Sequence, residues 1–216
     1  MKQLTLSSLA ALAALGALVP AASQAAEGLS YGYAEVDYVN LDVDDFDNGD
    51  GYKLDFSVPL GERFFLYGNY SETEADFSYR SNLDGVLLPG NTDVIKFGVG
   101  LGFIMPMNTS TDFVVSGGYA DIDFDDFHLG SSSDITSHNL RNDPSDGYTV
   151  DAYFRSQLSP SVEGSLGGRY TDIEGYDGFS LVANVMYELN QNWGINLSAD
   201  AGSDLVSWAA GVRYSF

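Results

Sequence analysis

The chain has 216 residues, no cysteine and a formal charge of −22 at pH 7. So acidic a surface argues against nucleic acid as a partner, because phosphate binding calls for basic residues. The missing thiols exclude a disulfide scaffold, a thiolate metal site and a cysteine nucleophile, and an aromatic content of 13% opposes disorder.

At the N-terminus, Lys2 precedes an apolar stretch from Leu4 to Val19, followed by Ala21-Ala22-Ser23-Gln24-Ala25. This is the pattern of a secretory signal peptide, with Ser23 and Ala25 at the two positions that require small side chains. The stretch falls short of the roughly 20 residues that a spanning helix needs. Cleavage after Ala25 divides the chain into a signal peptide, residues 1–25, and a mature domain, residues 26–216. No later segment approaches the length of a spanning helix, so membrane insertion would use strands.

The mature chain alternates with period two in ten segments. Strand one is predicted over residues 28–40. In strand two Tyr52, Leu54, Phe56, Val58 and Leu60 alternate with Lys53, Asp55 and Ser57, and strand three follows over residues 63–72. In strand four Ile95, Phe97, Val99, Leu101 and Phe103 alternate with Lys96 and three glycines, and strand five covers residues 111–122. Strand six sets Tyr148, Val150, Ala152, Phe154 and Leu158 against Asp151, Tyr153, Arg155 and Gln157. Strand seven sets Val162, Leu166 and Tyr170 against Glu163, Ser165 and Arg169. Strand eight runs from Phe179 to Leu189, and strand nine from Trp193 to Ala199 opposes Asn196, Ser198 and Asp200. In strand ten Val206, Trp208, Ala210, Val212, Tyr214 and Phe216 alternate with small or polar residues and Arg213. An apolar face beside a polar one, repeated ten times, predicts an antiparallel up-and-down membrane barrel; eight strands is the alternative.

The connections alternate in length. Residues 41–50, 73–92, 123–146, 173–177 and 202–204 form one set, and short turns near Pro59, Pro106, Pro160 and Asn190 form the other. Long loops outside the cell and short periplasmic turns are the habit of outer-membrane barrels. The long set holds 17 acidic residues against two bases, Arg80 and Arg141.

The remaining bases of the mature chain fall on the inward parity, as expected where a lipid-facing Arg or Lys costs about 2–4 kcal/mol at the midplane. Arg63 shares that parity. The predicted lumen charge network is Glu35, Asp37, Lys53, Asp55, Lys96, Asp151, Arg155, Glu163, Arg169, Glu188, Asp200 and Arg213. Mixed signs in a narrow lumen should pair, since unpaired buried ions are costly. Barrels near eight strands are filled by their own side chains. Inward Tyr31, Tyr33, Phe65, Tyr67 and Tyr153 would take up the space left by the strand-four glycines.

Site chemistry is sparse. Asp42, Asp44, Asp45, Asp47 and Asp50, with Asp123, Asp125 and Asp126, offer oxygen ligands without calcium-loop spacing. We read them as a solvated rim at which divalent cations could bridge to anionic lipopolysaccharide. His128 and His138 lie near Ser131, Ser132, Ser133, Asp134 and Asp143, but nothing holds a nucleophile beside a base. The expectation is a non-enzyme with no cofactor and no dedicated metal site.

The opening Gly28-Leu29-Ser30-Tyr31-Gly32-Tyr33-Ala34-Glu35, the closing Gly211-Val212-Arg213-Tyr214-Ser215-Phe216, the length and the signal peptide resemble small porin-like outer-membrane β-barrels of Gram-negative bacteria. More narrowly, the chain is similar to barrels regulated by diffusible signal factor. The resemblance implies export through the periplasm to the outer membrane. It also implies Val212, Tyr214 and Phe216 as an assembly signal read by the barrel assembly machinery. The family includes channels, adhesins and envelope-stabilising proteins, so the expectations are a surface barrel acting through its acidic loops or a small cation-preferring channel.

Overall fold

The computed structural model describes residues 26, 28–43, 49–80, 87–129, 145–174, 176–203 and 205–216. Ten strands follow one another: β1 (Tyr33–Val43), β2 (Gly49–Leu60), β3 (Phe64–Arg80), β4 (Leu87–Pro106), β5 (Thr111–Leu129), β6 (Ser145–Ser159), β7 (Val162–Ile173), β8 (Tyr176–Glu188), β9 (Trp193–Ala201) and β10 (Leu205–Ser215). Each pairs antiparallel with its sequence neighbours, and β1 meets β10 to close the barrel. Closure removes every free edge, which matters in a solvent that cannot hydrogen-bond backbone.

The register carries the sequence parity around the ring. Glu35 lies opposite Arg213 and Asp55, and Asp151 opposite Ser116 and Arg169, so the charged residues share the inner face. The outer face carries large exposed apolar side chains, including Val36, Leu101, Val150, Leu166, Leu181, Val185, Leu197 and Val212. Aromatic pairs flank this band. Phe64 with Phe103, Phe113 with Phe154 and Trp193 with Tyr214 lie toward the short turns, and Tyr38 with Trp208 and Tyr148 with Tyr170 toward the long connections. An apolar belt between two aromatic girdles is the outer surface of a transmembrane barrel of the outer-membrane type.

The strand count and parities match the sequence reading, while several boundaries move. β3 and β4 stay paired out to Arg80 and Leu87, and β5 reaches Leu129, so the connections are shorter than the sequence suggested. Apolar alternation stops where lipid stops, but the backbone ladder does not. Asp123 and Asp125 therefore lie in β5, and Asp42 and Asp50 end β1 and β2. Asp44, Asp45 and Asp47 fall outside the described residues.

Two positions predicted in strands are placed elsewhere. Arg63 stands exposed in the turn after β2, where Gly61 takes a φ of 79° that permits the tight reversal. The first strand begins at Tyr33 instead of residue 28. Gly28, with a φ of 90°, sits in a turn closed by Leu29 N–H donating to the Ala26 carbonyl at 3.1 Å, and this turn places Ala26, Leu29 and Tyr31 inside the barrel.

Candidate functional site: the barrel interior

The interior is layered. At the end that carries the short turns Ala26, Leu29 and Tyr31 pack with Phe65, Ile104 and Val114, and Tyr67 and Tyr153 lie against this cluster. Ile104 and Val114 are each 0% exposed. Small residues make the packing possible. The Phe65 ring occupies the space where Gly102 would carry a Cβ, and a Cβ on Gly100 would come within 2.5 Å of Tyr67 Oη.

Within this layer lies a polar contact that sequence reasoning missed. Asp112, fully buried, accepts hydrogen bonds from Ala26 N at 3.1 and 3.2 Å on its two oxygens and from Tyr31 Oη at 3.1 Å. Burial raises the Tyr31 phenol well above its ordinary range against the opposing influence of Arg155, so it stays protonated and able to donate. The inward parity shared by Asp112, Val114 and Ser116 was the available signal for an inward carboxylate. Nothing in the sequence placed residue 26 beside it.

Above the plug sits an ion-pair layer. Arg155 donates from Nε to Glu163 Oε1 at 2.6 Å and from Nη2 to Oε2 at 2.9 Å, and Nη2 also reaches the Ser30 carbonyl at 2.8 Å. Arg213 bonds Glu35 through Nε and lies 3.8 Å from Glu163. The two guanidinium groups stack over aromatic rings, Arg155 at 4.5 Å from the Tyr31 centroid and Arg213 at 4.1 Å from Tyr33. One connected layer thus joins the N-terminal segment to β1, β6, β7 and β10.

Farther toward the long connections the charges surround a cavity of about 350 Å³, lined by Lys53, Asp55, Lys96, Asp151, Arg169 and Asp200 among others. Arg169 bridges Asp151 at 2.6 Å and Asp200 at 2.8 Å, and Lys53 pairs with Asp55 at 2.8 Å. Among the described residues Lys96 joins none of these pairs. Glu188 stands at the short-turn end of β8 opposite Gly194, apart from the pairs. Asp37 lies within the network, yet among the described residues neither of its buried carboxylate oxygens has a hydrogen-bond partner, and the same holds for Asn196 Oδ1. One oxygen each of Glu35, Asp37 and Asp55 come within 4.8 Å of one another, the donor set that a hard cation would use.

Of the loop residues that offered a serine, histidine and aspartate combination, only the backbone of His128 is described, opposite Asn91. Ser131, Ser132, Ser133, Asp134, His138 and Asp143 fall outside the described residues. At the other end of the chain, Phe216 N donates to the Gly32 carbonyl at 3.0 Å, and Asn192 Nδ2 to the Ser215 carbonyl at 2.8 Å. The C-terminal residue is therefore tied to the start of β1. Val212 and Tyr214 face outward in the lower half of the belt.

No family model matches the chain, so the resemblance to barrels regulated by diffusible signal factor gains nothing from that comparison. No curated protein matches it either. Among solved structures, the KdgM porin is similar at 15% identity and a TM-score of 0.46, over 84% of this chain and 99% of that one. The outer membrane protein OprG from Pseudomonas aeruginosa is similar at 12% identity and 0.47, over 90% and 99%. Ail, the attachment invasion locus protein of Yersinia pestis, is similar at 13% identity and 0.37, over 86% and 99%. The likeness goes no further than a barrel fold. What the chain's own geometry establishes is a ten-stranded transmembrane β-barrel with a charged interior, packed with apolar side chains at one end.

Proposed function

We propose that the protein is an outer-membrane surface barrel, closed at its periplasmic end, whose role is carried by the acidic connections at its outer rim and not by catalysis. The observation behind this reading is the plug: Ala26, Leu29 and Tyr31 lie in the lumen and pack on Phe65, Ile104 and Val114 below the Arg155, Glu163 and Arg213 layer. An apolar stopper beneath a network of paired ions leaves solutes no wide aqueous path. The rim would meet anionic lipopolysaccharide through bridging divalent cations, or external partners directly. Planar-bilayer conductance of the mature barrel, with folding verified by a heat-modifiable gel shift, is the test. A silent bilayer supports the closed barrel, and discrete steps from the intact protein would sink it. Removing the connections after β3 and β5 should then weaken envelope integrity or surface binding.

The cavity of about 350 Å³ above the plug favours a second reading, a small diffusion channel that conducts when the plug moves. An acidic vestibule would concentrate cations. Under that reading, neutralising Asp42, Asp44, Asp45 and Asp47 together lowers cation selectivity.

A further inference from the structure

The most unusual group in the interior is Asp112. It is fully buried, and among the described residues it is in no ion pair with a lysine or arginine side chain. Arg155 lies opposite it in the β5–β6 register, but that guanidinium is committed to Glu163 and the Ser30 carbonyl. A buried carboxylate calls for a cation, because hydrogen bonds alone replace only part of its lost hydration.

The atom nearest to filling that role is Ala26 N, 3.1 and 3.2 Å from the two Asp112 oxygens. As part of a peptide bond it is neutral and carries one proton, which it must share between two acceptors. The sequence places the signal-peptide cut at the bond before it, with Ser23 and Ala25 as the small residues that precede such a cut. Hydrolysis of the Ala25–Ala26 bond by a leader peptidase consumes one water. It leaves a carboxylate on Ala25 and an amine on Ala26 that takes up the proton released.

We propose that this processing step creates the missing cation: the α-ammonium of Ala26 docks against Asp112 as a buried ion pair that fixes the N-terminal plug in the barrel. An ammonium has three protons, enough to donate one to each carboxylate oxygen at the positions Ala26 N already occupies. The remaining geometry fits a chain end held here. Ala26, Leu29 and Tyr31 are all buried, Tyr31 Oη supplies a further donor to Asp112, and Gly28 makes the turn that brings both donors to one carboxylate. Processing would thereby be coupled to plug closure, since an uncleaved chain has no charge to place in this site.

The test is chemical and separate from conductance, although it concerns the same plug as the closed-barrel reading. Protein isolated from outer membranes should begin at Ala26 by intact mass and N-terminal sequencing. Its α-amine, treated with an N-hydroxysuccinimide ester near neutral pH and located by peptide mapping, should react on the order of tenfold or more slowly in the folded barrel than in denaturant. Asp112→Asn should remove most of that protection while the heat-modifiable gel shift persists. A second arm uses refolded protein selectively N-acetylated at Ala26. The cap should lower thermal stability in the native sequence and have little effect in Asp112→Asn, a coupling that packing alone would not produce. A mature chain starting elsewhere, equal labelling of folded and unfolded protein, or an acetylation effect unchanged by Asp112→Asn would each overturn the proposal. Should Asp112→Asn fail to fold, the sequencing and labelling of the unaltered protein still decide it.

Discussion

Arg155 and Glu163 form a two-pronged ion pair inside the barrel, with Nε–Oε1 at 2.6 Å and Nη2–Oε2 at 2.9 Å. Both side chains are almost wholly buried, so solvent screens the pair little. Arg155→Ala leaves the Glu163 charge buried, removes a hydrogen bond to Ser30 and strips a stacking partner from Tyr31. Removing one partner of a buried pair costs about 3–5 kcal/mol. Urea titration followed by Trp193 and Trp208 fluorescence should show this loss. The double variant Arg155→Ala with Glu163→Ala should lose less than the two single losses added together.

Asp37 is expected to respond in the opposite direction. It is 2% exposed, and neither carboxylate oxygen has a hydrogen-bond partner among the described residues. It flanks Gly211 on one side while Asn196, whose Oδ1 also lacks a partner, flanks it on the other. Asp37→Asn keeps the shape, removes the charge and supplies an amide donor for that oxygen. We expect a gain of about 1–3 kcal/mol, the usual cost of an unmet buried group. Loss of stability in the same titration, or reversal of the gain by millimolar calcium, would instead indicate a bound cation among Glu35, Asp37 and Asp55.

Gly102 faces the Phe65 ring so closely that a Cβ would overlap it. Gly102→Ala should therefore cost about 1–3 kcal/mol through overpacking. Combining it with Phe65→Leu should recover part of the loss. Additive losses in that cycle would mean that the ring can move aside unaided.

Phe216 bonds through its backbone to Gly32, just before the strand that closes the barrel on β10. We expect deletion of Phe216 to lower the amount of barrel in outer membranes of cells severalfold. Refolding of purified protein in detergent should change much less if Phe216 acts as an assembly signal and not through the fold. Equal losses in cells and in detergent would assign it a structural role alone.

The ten strands and their inward faces were legible because period two in this chain has one cause. Outward residues such as Val36, Leu101 and Val212 meet hydrocarbon, and inward residues such as Asp55, Arg169 and Arg213 cannot. Strand ends were less legible, because pairing of Arg80 with Leu87 depends on backbone groups that every residue carries. Arg63 was misplaced for a related reason, since parity says nothing about where a turn begins.

The sequence by itself determined the transmembrane barrel, its direction of alternation and the set of charges confined to the lumen, since these follow from the local contrast between lipid and water. Only the tertiary structure decided which charges pair, that Asp37 takes no hydrogen-bond partner among the described residues, and that Ala26 reaches Asp112 across 86 positions of the chain. Those relations depend on register, closure and the inward turn at Gly28. Each brings together residues far apart in sequence, where a local pattern has no reach.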